Sequence, residues 1–112
     1  MNGITHQEYV ETVRKRAAET AAGMLNGTVP FLEGVRLLVS LRREAEVQED
    51  DIDFLAFVAV DSETDALPVG NVREHWSLAA LARLEPEIQT ATEWAKGFAS
   101  AACVSVVRRF GA

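Results

Sequence analysis

The run Asp61-Ser62-Glu63-Thr64-Asp65 places three carboxylates at alternate positions near the middle of the chain. Alternate acids open the calcium loop of an EF-hand, where hard oxygen ligands gather around the ion. The pattern then departs from that loop. Ala66 stands where the tight turn needs glycine, and Val72 where the loop needs its bidentate glutamate. The stretch therefore reads better as a solvated loop with local caps than as a metal site.

A second group lies just beyond: Arg73, Glu74, His75 and Trp76. A histidine beside an aromatic and near carboxylates has the parts of a general base oriented by an acid. Its plainer reading is a loop histidine, with Trp76 plugging the edge of the core. His6 is the only other imidazole and falls in an exposed first helical turn, so a histidine metal site is poorly supplied. Cys103 lies among Ala99, Ala102, Val106 and Val107 on a helical pattern and reads as a small buried hydrophobe rather than a nucleophile. No G-x-S-x-G, H-E-x-x-H, phosphate loop or dinucleotide fingerprint occurs. Arg14, Lys15 and Arg16 splay over roughly 200° of a helix, so they form no basic stripe for nucleic acid. Asp61, Glu63, Asp65, Arg73, His75 and Trp76 remain as the candidate partner-binding set. They combine charge, a forked donor and a large contact surface, the residue types that dominate interfaces.

The elements that hold these residues can be read from composition and periodicity. The chain has 112 residues, the size of one domain, and a charge of −6 from 17 acids against 11 bases. Such a chain buries roughly two-thirds of its unfolded surface, enough for a core without staples. An acidic surface repels nucleic acid and attracts basic partners. One cysteine allows no internal disulfide. The polar start of the chain and the lack of a long apolar run suggest a cytoplasmic protein with no membrane span. No cofactor is expected.

Thr5-His6-Gln7-Glu8 is a capping-box sequence, and Asn26-Gly27 is a stop, which predicts a helix over about 6–25. Pro30 suits the first turn of a second helix, running to about Ala45 with Gly34 allowing a close crossing. Asp50 or Asp51 caps a third, from Ile52 to about Val60, although Phe57-Val58-Ala59-Val60 fits a short buried strand equally well. An irregular loop occupies about 61–76, with Pro68 and Gly70 as breakers. Ser77 caps a short helix through Leu84, and Pro86 opens the last one, to about Arg109. Its core face is small, with Ala91, Ala95, Ala99 and Ala102, and Trp94, Phe98 and Ala101 form a second ridge on its flank. The expected fold is an all-α compact bundle of four to five helices, a single domain over 1–112. Val35, Leu38, Leu55, Val58, Ala95 and Val106 are its expected core.

The segments Phe31-Leu32-Glu33-Gly34-Val35-Arg36, 61–68 and Val72-Arg73-Glu74-His75-Trp76-Ser77 resemble small uncharacterised bacterial proteins, some with an immunity-type setting. That resemblance implies an interaction role, and no catalytic residues come with it. The expectation is a non-enzymatic protein-interaction domain, in its most concrete form an immunity protein that neutralises a toxin. Its partner is then a protein, of basic character. The competing expectations are a small hydrolase or metal-binding protein using the 61–65 acids and His75, and a homodimer.

Overall fold

The structure, a computed structural model, describes residues 4–111. Helix α1 spans His6–Asn26. Its start is the capping box: the Glu8 amide donates to Thr5 Oγ1 at 3.1 Å, and the Thr5 amide to Glu8 Oε1 at 3.1 Å. Its end is Gly27, whose φ of 86° is the left-handed conformation glycine adopts without strain. Val10, Val13, Ala17, Ala21 and Met24 form the buried face.

Helix α2 covers Phe31–Leu41, four residues shorter than its pattern predicts. Beyond Leu41 the chain tightens into turns over 42–46 and ends on Glu46 at φ 54°. An outside donor holds this turn: Arg14 Nε, from α1, donates to the Ala45 carbonyl at 2.8 Å. His6 and Tyr9 of α1 reach the same turn, through Glu46 at 2.6 Å and through Glu44. Gly34 does allow a close crossing. A Cβ there would collide with the Met24 side chain of α1.

Helix α3 runs Ile52–Thr64, so 57–60 is helix and not strand, and the helix extends four residues past Val60. Phe54, Phe57, Val60 and Thr64 recur every three or four residues and are all buried. Leu55 and Val58 lie off that face. Leu55 is 44% exposed and Val58 half-buried, which corrects their expected place in the core. The other four expected core residues, Val35, Leu38, Ala95 and Val106, are fully buried. Leu55→Ala should therefore cost about 1 kcal/mol or less, against about 2–5 kcal/mol for Leu38→Ala, in parallel urea titrations.

The irregular stretch is shorter than 61–76. It comprises Asp65 to Val69 and a 3₁₀ turn, Gly70–His75. Ser77 caps as its position predicts, accepting from the Ala80 amide at 3.0 Å. Beyond this cap the chain forms one helix, not two: α4 spans Leu78–Phe110 straight through Pro86. A proline inside a helix removes one amide donor, here the partner of the Ala82 carbonyl. Ala82 and Pro86 are both exposed, so this break in the ladder is open to solvent rather than buried. Helices α1 and α4 pack along each other, and α2 and α3 close the core around Leu38, Phe54, Phe57, Cys103 and Val106. Among the described residues there is no strand, and no helix is long and apolar enough to cross a membrane.

Candidate functional site

Helix α3 is fastened at both ends by arginines from other helices. At its start Asp51 accepts from the Asp53 and Phe54 amides and also from Arg109 of α4, at 2.6 and 3.0 Å. Arg109 also donates to Asp53 at 2.8 Å, and Ser105 donates to the same oxygen at 2.6 Å. The guanidinium beside Asp51 holds its carboxyl below the usual carboxylate range, although partial burial works the other way. At the far end Arg36 of α2 donates to the Thr64 and Leu67 carbonyls, at 2.5 and 3.1 Å. A cation at a helix C-terminus meets the negative end of the dipole and satisfies carbonyls left over there.

This clamping decides where the sequence-predicted site residues fall. Asp61 is on α3, and its carboxylate faces Arg36 at 3.7 Å. Glu63 is on the same helix, about 200° further round. Asp65 is the C-cap of α3 and exposed. The three acids therefore spread around a helix end and do not encircle a common point. Arg73 and His75 sit in the 3₁₀ turn, and Trp76 comes directly after it. Arg73 reaches Glu85 of α4 at 4.0 Å. Among the described residues no group of three or more histidine, cysteine or acidic side chains is placed to hold a metal ion. Cys103 is enclosed, and burial, with the charge of Asp53 as the lesser cause, pushes its thiol up to about 11. It packs as the small hydrophobe its neighbours in the sequence suggest.

A broad concavity lies elsewhere, where the end of α3 meets the middle of α4. It is an open groove of about 490 Å³. Pro86, Thr90 and Ala91 of α4 and Thr64 of α3 line it. Glu63 stands on the α3 side, and Glu87 and Trp94 on the α4 side. Trp94 is 42% exposed and Phe98, one turn on, 51%. The two rings stack with centroids 5.4 Å apart. Neither Glu63 nor Glu87 has a cationic side chain within 4 Å among the described residues.

No family model, no curated protein and no solved structure matches this chain.

The groove's meaning thus rests on its own chemistry. It offers apolar surface, the Trp94 ring with Phe98 stacked beyond it, and two carboxylates without an ion-pair partner among the described residues. Its lining holds no imidazole, thiol or lysine. Glu63 is the only one of the six sequence-predicted residues in it. Trp94 was legible as part of the second ridge of α4, because its phase puts it beside the small core face. Glu87 carries no such signal: it is one exposed acid among many until α3 is laid next to it.

Proposed function

We propose that this domain is a non-enzymatic binding module that acts by stoichiometric capture of a protein partner. Its most concrete form is an immunity-type protein that occludes a basic toxin, in line with the resemblance of its central segments. The observation that carries the reading is the exposed Trp94–Phe98 stack beside an open apolar groove. Tryptophan is enriched among the energetic anchors of interfaces, and a half-exposed ring has apolar surface still to bury. The acidic charge of −6 supports a basic partner and a fast, salt-sensitive encounter.

The test is capture from the native host with three tagged forms of the full chain. Trp94→Ala should lose the partner held by the unaltered protein, while the lost stack costs only about 0.5–1.5 kcal/mol of stability. Leu25→Ala, an exposed apolar truncation at the end of α1, should hold it. Loss of capture by both, or by neither, would reject this surface as the binding face.

A further inference from the structure

The groove also restricts what its occupant looks like. Of the acids around α3 and α4, Asp51 and Asp53 are paired with Arg109, Asp61 with Arg36 and Glu85 with Arg73. Glu63, Asp65, Glu87 and Glu93 have no such partner among the described residues, and of these Glu63 and Glu87, one on each helix, line the same apolar trough. Two unmatched carboxylates at the rim of apolar surface are complementary to a side chain that is greasy along its stem and cationic at its tip. Lysine and arginine have that build. The Trp94 ring on the same wall adds an aromatic face for the cation. One helical turn further, roughly 6 Å along the axis, Phe98 offers only apolar ring.

Resting on the binding-module reading above, we infer that the groove takes an amphipathic basic helix of its partner. A lysine or arginine of that helix lies over Trp94 with its charge between Glu63 and Glu87, and an apolar residue three or four positions away covers Phe98. The match is one of period: Trp94 and Phe98 are one turn apart on α4, and the cation and apolar anchor are one turn apart on the partner helix. A second copy of the chain fits worse. A two-fold contact centred on Trp94 would bring another Glu63 and Glu87 into the same seam, with no cation from this groove to meet them.

A labelled helical peptide of about 14 residues, roughly four turns, with leucine and lysine in amphipathic order is the probe, read by fluorescence anisotropy against the full chain. The expected result is saturable binding that weakens as salt rises, while a peptide with glutamate in every lysine position fails to bind. Glu63→Gln with Glu87→Gln should weaken the lysine peptide about tenfold, the effect of two partly exposed charge contacts. Glu11→Gln with Glu19→Gln changes the net charge equally on α1 and should leave it unchanged. Equal weakening by the two double variants would overturn the proposal, since net charge alone would then account for it. Binding lost in Trp94→Ala but unaffected by Glu63→Gln with Glu87→Gln would overturn the cation contact and leave the binding face standing. Binding unaffected by Trp94→Ala would remove both. A concentration-dependent dimer abolished by Trp94→Ala would reassign the groove to a second copy.

Discussion

Phe57→Ala lowers the stability of the domain by about 3–5 kcal/mol, read from the urea midpoint at an unchanged slope. Phe57 is wholly enclosed, and Phe54 meets it edge-to-face with centroids 5.5 Å apart. Truncation removes the transfer energy of a whole ring and that aromatic contact, and it leaves a cavity. The surrounding elements cannot collapse into the space, because α3 is tied at both ends by Arg109 and Arg36. Domains of this size have about 5–15 kcal/mol in total, so one substitution takes a large share. A loss under about 1 kcal/mol, the scale of surface substitutions, would mean that α3 presents a different face to the core.

Arg109→Ala should cost about 2–3 kcal/mol at neutral pH, and this cost should shrink in acid. Asp51 and Asp53 are only 9% and 12% exposed at their side chains and share this one guanidinium. Removing it leaves two nearly enclosed carboxylates side by side, which is worse than losing an exposed pair; the partial exposure of Arg109 moderates the loss. The sign of the pH effect comes from Asp51. Its folded pKa lies below the unfolded one because of Arg109. The stability it contributes is therefore present above about pH 4, the unfolded carboxylate range, and lost as pH falls through the folded value. In Arg109→Ala that contribution is already gone, so the gap between the two proteins narrows below about pH 4. Thermal melts of both, from neutral pH down to about pH 3, measure it. A gap constant with pH would assign the role of Arg109 to its stacking on Phe110, 4.8 Å from the ring centre.

The all-α architecture was legible because each helix start has local chemistry. Thr5, Asp51 and Ser77 each accept from amides of the first turn, and such bonds depend on neighbours in sequence alone. The errors arise where a distant partner decides. Asp61 and Glu63 look like loop acids, yet the helix runs past them to Thr64, whose carbonyl accepts from Arg36, 28 residues earlier. Leu55 and Val58 look like core because the whole α3 segment is apolar, and which stripe turns inward depends on the placement of α2 and α4. Pro86 looks like a helix start, which is its commonest helical position. Only the exposure of that turn reveals that the helix passes through it. The groove was half legible: its aromatic side has a helical phase, while its acidic side needs two helices in contact.

The passage of α4 through Pro86 has a consequence in time as well as in space. No residue from Val69 to Trp94 is fully buried, whereas Ala95, Ala99, Ala102, Cys103 and Val106 are. The first turns of α4 therefore contribute little to the cooperative core and lack one rung of the amide ladder at Pro86. Such a segment opens by local fluctuation far more often than the molecule unfolds. Glu87 lies within that looser half, and Trp94 at its border with the anchored one. A bound helix that holds both would quiet the fluctuating half, so part of its apparent affinity is spent on ordering.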